Sequence, residues 1–336
     1  LIQRAAETLE IRTASIHDLY MAMGRGEAGG FTTPAINIRG MTFDVSRAII
    51  RAAMSREVGA LIFEIARSEI VYTEQRPAEY AASVLAGAIK EGFRGPVFLQ
   101  GDHFQINAKK FAQDPDQELD ALRDMILEAL KAGFYNIDID SSTLVDLSRP
   151  DIKEQQRLNF EKAAELTRCI REHEPEGVTV SVGGEVGEVG GKNTTVEEAR
   201  AFIDNYRETL ASYGGGMKGI SKLSIQTGTS HGGILLADGT MAQVSIDFDA
   251  LAEISGLCRE SYGLSGAVQH GASTLPEEAF NRFVESGASE VHLATAFQNM
   301  IYDRIPEALR KEVQGWVIET HQSSRKEGDT DEQLFY

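Results

Sequence analysis

The sequence predicts an α/β fold, a closed (β/α)8 TIM barrel with an extra C-terminal helix, from three observations. Short β-branched runs alternate with longer amphipathic stretches, which is the signature of parallel βαβ units. Eight such strand–helix pairs follow one another, and that order fits a closed barrel better than an open doubly wound sheet. A chain of 336 residues also suits one barrel of roughly 250 residues with insertions. One domain is therefore expected over 1–336, with the barrel at about 30–300 and a C-terminal helix and tail at 303–336.

Strands are expected near Pro34–Ile38, Ala60–Ile65, Pro96–Gly101, Tyr135–Asp140, Val178–Glu185, Lys222–Thr227, Gly266–His270 and Glu290–Ala294. Between them the 3.6-residue periodicity predicts helices at Asp44–Arg56, Ala78–Glu91, Asp116–Ala132 and Glu154–Glu172. Four more follow at Val196–Tyr213, Asp247–Tyr262, Pro276–Ser286 and Thr295–Ile301. Pro306–Ser323 reads as the additional helix. The polar end, RKEGDTDEQLFY, is expected to fray or to serve an oligomer contact.

Composition narrows the function. The chain is 42% hydrophobic and 25% charged, ample for one large core. Its net charge of −18 argues against nucleic acid, which demands clustered Lys and Arg. A small anionic substrate stays open, because a few local cations outweigh a distant negative surface. Cys169 and Cys258 form no CxxC pair and read as reduced, packed thiols. No apolar run approaches a membrane span and no signal-peptide pattern opens the sequence, so a cytoplasmic protein is expected.

The chemistry-bearing residues gather at strand ends. Asp102 and His103 end the third strand, Glu185 the fifth and His270 the seventh, while His231 follows the sixth. Barrel enzymes place their active sites at this C-terminal face. A lone histidine is usually structural, but three histidines and two carboxylates at one mouth point to a metal centre. Three neutral imidazoles suit Zn²⁺ in a catalytic site with one position open, and other divalent ions remain compatible.

The surrounding segments, LQGDHF, VGGEVGEVGG, QTGTSHGG and QHGASTLP, are glycine-rich, as close approach of backbone to ligand requires. Together and in this order they resemble the class II fructose-bisphosphate and tagatose-bisphosphate aldolases, over about residues 15 to 300. The resemblance implies His103, His231 and His270 as zinc ligands, Glu185 near the metal as a further ligand and catalytic residue, and Asp102 as the residue moving the substrate hydroxyl proton. It implies substrate contacts from Asn37, from Asp140 and Ser142 of DIDSS, and from Gly232, Gly271 and Ser273 around a phosphate. A bound Zn²⁺ then acts as a Lewis acid on the ketose carbonyl and stabilises the enediolate left by C–C cleavage. A homo-oligomer, dimer or tetramer, with a sugar phosphate or sugar acid as its small-molecule partner, completes the expectation.

Departures from the pattern mark a rebuilt substrate pocket. The acidic residue expected after Gly190–Gly191 is replaced by Lys192–Asn193–Thr194, with Glu188 as a candidate substitute. Ile234, Leu235 and Leu236 stand where the family carries a Lys, and Ala66 where it carries a Ser, with Arg67 and Ser68 directly after. The segment after the eighth strand reads His292–Leu293–Ala294–Thr295, which nominates His292 and Thr295 as substrate-side residues. His292 suits a substrate hydrogen bond or proton donation, and equally plain packing at the mouth. Two other readings stand beside the aldolase. One is a non-catalytic accessory subunit of a tagatose-bisphosphate-type aldolase, which the two retained histidines disfavour. The other is a metal-dependent hydrolase, which lacks its usual H-x-H on the first strand.

Overall fold

The structure, a computed structural model, describes residues 1–187, 192–228, 246–273, 275–326 and 328–335. Its strands are β1 (Ile11–Ala14), β2 (Thr33–Asn37), β3 (Ile62–Ala66), β4 (Gly95–Gln105), β5 (Asn136–Asp140), β6 (Ser181–Glu185), β7 (Lys222–Ile225), β8 (Ala267–Gln269) and β9 (Glu290–Leu293). From β2 to β9 each strand pairs in parallel with the next, and β2 closes the ring against β9. The eight-stranded (β/α)8 barrel is thus the observed fold. All eight expected strands are present, and a ninth, β1, pairs with the first residues of β4, from Gly95 to Phe98.

Helices fill the crossovers where periodicity placed them, among them Thr42–Ser55, Pro77–Glu91, Pro115–Ala132, Ile152–His173, Val196–Ser212 and Phe248–Tyr262. Their starts carry the expected chemistry: Asp114, Asp151, Thr195 and Asp247 each accept a backbone N–H in the first helical turn. The C-terminal helix spans Glu307–Thr320. The tail, expected to fray or to serve an oligomer contact, holds a short helix at Asp331–Phe335, with the Phe335 ring 5.9 Å from that of Tyr302. Both cysteines are free and buried.

Most apolar residues of the strands pack in one main core, while Ala35 of β2 and Ile62 of β3 pack with Ile16, Tyr20 and Met23 in a second, smaller cluster. Ile65, Leu99, Ile137, Ile139, Val182, Leu223 and Ile225 belong to this main core. The barrel interior is different. Most such barrels fill it with Val, Ile and Leu, but here Lys222 of β7, fully buried, donates to Gln100 Oε1 at 2.8 Å, Asp138 Oδ2 at 2.9 Å and Glu290 Oε1 at 2.6 Å. All three ammonium donors are satisfied. Tyr20 donates to the other Glu290 oxygen, and Gln100 Nε2 also reaches Glu64 and Glu290. Gly183 of β6 makes room for this cluster: a Cβ there would lie 2.3 Å from Asp138 Oδ1.

His17 carries a testable consequence of burial. Its Nδ1 has no hydrogen-bond partner among the described residues. Burial first, then the charges of Arg171 and Lys218, lower its pKa from 6.5 to about 4. The unfolded chain therefore takes up this proton first. The stability due to neutral His17 is complete above about pH 6.5 and is lost as pH falls toward 4, amounting to about 2 kcal/mol after allowance for residual solvent access. The wild type is expected to lose more Tm between pH 7.5 and 4.5 than His17→Gln; equal losses would remove His17 from the acid response.

Candidate active site

In a regular strand consecutive side chains point to opposite faces, so Asp102 and His103 should diverge. They do not, because β4 bulges. Its register against β5 shifts between Gly101 and Phe104, and His103 adopts a φ of 40°. Asp102 and His103 consequently both line the cavity at the barrel mouth, while Phe104 is fully buried in the core. Gly101 is required at the bulge, since a Cβ would sit 2.5 Å from Cε1 of Phe104. The bulge also explains why β4 continues to Gln105 rather than stopping at Gly101.

Three imidazoles surround one carboxylate oxygen. Asp102 Oδ1 lies 3.3 Å from His292 Nδ1, 3.5 Å from His270 Nε2 and 3.9 Å from His103 Nε2. The His270 ring centroid is 4.3 Å from that of His103 and 4.0 Å from that of His292. Two of these rings are braced from behind. His103 Nδ1 is 2.9 Å from Asp140 Oδ2 and 3.2 Å from Glu185 Oε2. Asp140 is itself fixed by Gln105 Nε2 at 2.6 Å and Ser142 Oγ at 2.7 Å. His292 Nε2 lies 2.6 Å from Glu290 Oε1, which ties it to the Lys222 cluster, and its Nδ1 is 3.1 Å from Glu64 Oε2.

The electrostatics follow from burial and these neighbours. For Asp102 the penalty of burial is outweighed by the charges of His103 and His292, which hold it well below the usual carboxylate range. Burial likewise opposes charge on His103 and His292. Asp102 and Glu185 overcome it for the first, Glu64 and Asp102 for the second, and both imidazoles stay well above their ordinary value. His270 behaves oppositely: burial, then the charges of His292 and His103, push it well below, so it is neutral. Burial and the Asp140 charge raise Glu185 to about 7. Burial also raises Glu64 to about 7, aided by Asp102 against the opposing pull of His292.

The mouth cavity encloses about 730 Å³. Of the residues expected to form the site, Asn37, Arg67, Asp102, His103, His270, Gly271, Ser273, His292 and Thr295 line it together. Asn37 Nδ2 donates to Glu69 at 2.7 Å, and Arg67 is held by Glu118 and by the Gln105 carbonyl at 2.7 Å. Asp140 and Glu185 do not line the cavity; they stand behind His103. His231, Gly232 and Glu188 lie outside the described residues.

Sequence reasoning passed over Glu64, Lys222, Glu290 and Arg39. A signal for the first three was present: a charge inside a strand buried on both faces is expensive unless paired. Arg39 lines the cavity beside Asn37, with its Nε 2.6 Å from Glu69 Oε1 and its Nη1 3.0 Å from Gln298 Oε1.

The donor set fits a divalent cation. Asp102, His103 and His270 offer ligand atoms within 4.8 Å of one another, and His103 carries the carboxylate backing typical of metal-bound histidines.

Comparison with known proteins agrees with the barrel fold. The sequence profile of the family described as fructose-bisphosphate aldolase class-II matches residues 19–331. Among solved structures the chain is similar to fructose-bisphosphate aldolase (Fba) from Campylobacter jejuni, at 16% identity and a TM-score of 0.56, over 97% of this chain and 88% of that one. It is similar to the YdjI aldolase from Escherichia coli K12 at 16% identity and 0.54, over 90% and 91%. A protein from Sinorhizobium meliloti described as a probable tagatose 6 phosphate kinase gives 17% and 0.64, over 90% and 79%. Identities this low establish the shared fold and nothing finer.

Proposed function

This chain belongs to the class II fructose-bisphosphate aldolase family, and on that premise we propose that it is a metal-dependent aldolase cleaving a ketose phosphate or related sugar acid reversibly. The observation that carries this reading is the meeting of Asp102, His103 and His270 at the cavity wall, at the C-terminal strand ends. We assign His103, His231 and His270 as metal ligands, with Glu185 close by, and zinc as the ion. When bound, that ion supplies Lewis acidity at the substrate carbonyl.

The protein's own part is to bind, orient and move a proton. Asp102, a buried carboxylate whose Oδ1 faces three imidazoles, accepts the hydroxyl proton whose loss starts cleavage. Asn37, held by Glu69, orients substrate oxygens. Gly232, Gly271 and Ser273 take one phosphate, Thr295 and His292 border the pocket, and Asp140 fixes His103. The active form is proposed to be a homo-oligomer.

The purified chain is expected to carry about one divalent metal per subunit, and each of His103→Ala, His231→Ala and His270→Ala to lose metal and cleavage together. Elemental analysis decides this, and full occupancy in all three variants would sink the ligand assignment.

Substrate choice follows from Ala66 and Arg67. The family's second-strand Ser is absent, so one hydroxyl for a distal phosphate is missing, while the Arg67 guanidinium suits a bidentate anion grip. Charged hydrogen bonds are worth about 1.5–3 kcal/mol each, so losing one weakens binding by roughly 10- to 150-fold. A monophosphate or acid-bearing ketose is expected to show higher kcat/KM than fructose 1,6-bisphosphate. A clear win for the bisphosphate would restore the ordinary glycolytic activity.

A further inference from the structure

We infer that His292 is a ligand of the divalent cation, through Nδ1, beside His103 and His270. The inference rests on the metal-dependent reading above and adds a donor that the family resemblance does not supply. Three nitrogens converge on Asp102 Oδ1, and that of His292 is the nearest, at 3.3 Å against 3.5 Å for His270 and 3.9 Å for His103. An imidazole binds a metal well when its other nitrogen is held by a carboxylate, which fixes the tautomer and raises ligand basicity. His292 has that arrangement: Nε2 is 2.6 Å from Glu290 Oε1, and Glu290 is anchored in turn by Lys222. His103 shows the same pattern with Asp140 behind Nδ1 and Nε2 toward Asp102. Two histidines on β4 and β9 are thus prepared in the same way and both face Asp102 Oδ1, with the His270 ring 4.3 Å from that of His103 and 4.0 Å from that of His292.

Burial strengthens the case. His292 is 5% exposed and lies among Glu64, Asp102 and Glu290, and Glu64 and Asp102 together with it offer ligand atoms within 4.8 Å of one another. Carboxylates crowded this closely favour a cation among them, and imidazole with carboxylate donors suits zinc and its neighbours in the first transition row.

The test uses the full-length chain loaded with Zn²⁺ and, separately, with Co²⁺. In zinc-loaded crystals an anomalous map is expected to place the ion about 2.0–2.1 Å from His292 Nδ1. His292→Gln is expected to weaken zinc by more than about 100-fold in chelator competition, beyond the 10- to 100-fold range of a group acting through another ligand. Cobalt-loaded His292→Cys is expected to gain a sulfur-to-cobalt charge-transfer band in the near ultraviolet, with circular dichroism confirming the fold. An ion held by His103 and His270 but beyond about 3 Å from His292 Nδ1 overturns the inference, as does a smaller affinity loss or a missing band. Wild-type protein that takes up no ion overturns the metal-dependent reading as well, so the two failures are distinguishable. The crystal measurement needs no variant and decides the matter if both substitutions unfold the chain.

Discussion

Asp102→Asn is expected to slow carbon–carbon cleavage by about 10² to 10⁴, the usual loss when a general acid–base group is removed. The amide is nearly isosteric, so packing in this buried position changes little. What disappears is the capacity to accept a proton. The surroundings suit an ionised carboxylate: Asp102 Oδ1 lies 3.3 Å from His292 Nδ1, 3.5 Å from His270 Nε2 and 3.9 Å from His103 Nε2. The proposed ligands His103, His231 and His270 are untouched and the amide oxygen of the Asp102→Asn variant keeps a neutral donor in place, so metal content is expected to stay near that of the parent. The readout is retro-aldol turnover of a ketose phosphate, with metal content measured on the same samples. Parent-like turnover would reduce Asp102 to a support for the imidazoles.

Lys222→Met is the second large effect, and it falls on stability. The ammonium is fully buried and neutralises Asp138 and Glu290 at 2.9 and 2.6 Å. Removing one partner of such a cluster leaves uncompensated buried charge and costs about 3–5 kcal/mol, a large share of an ordinary 5–15 kcal/mol. The pH dependence supplies an internal check. Burial already raises Asp138 to about 6 with the lysine opposing the shift, so without the lysine its folded pKa moves further above the unfolded value. A carboxylate with a raised folded pKa binds its proton more tightly in the folded state, so the folded variant gains ground as pH falls. The deficit against the wild type is expected to narrow between pH 7.5 and 5.5 in urea denaturation. A deficit below about 1 kcal/mol at pH 7.5, a typical surface-pair value, would show the cluster to be energetically idle.

Most of the barrel was legible because parallel strands buried on both faces appear as compact apolar runs between helical periodicities. IFEIA, NIDID and KLSI all became strands. β1 was not, since the four residues IRTA carry too little pattern and gain their place only by pairing with β4. The site was legible at the level of residues near strand ends. Its partnerships were not: nothing local tells that Glu290 braces His292, or that Asp140 faces His103 instead of the cavity. Those facts depend on which strands become neighbours around a closed ring. The charged interior escaped for a related reason, because Lys222 looks like the polar start of a strand until three other strands surround it.

The bulge in β4 has a mechanical consequence. Two side chains usually reach one face from positions two apart, across a pleat that can flex. Here they come from adjacent residues, whose Cα atoms are about 3.8 Å apart across a planar peptide. Asp102 and His103 therefore ride on one stiff link. Small motions of the barrel wall change the separation of this pair from His270 on the β7–β9 side, but scarcely alter the separation within the pair. The carboxylate proposed to handle the proton and the imidazole beside it would keep a common frame of reference if the rest of the mouth moved.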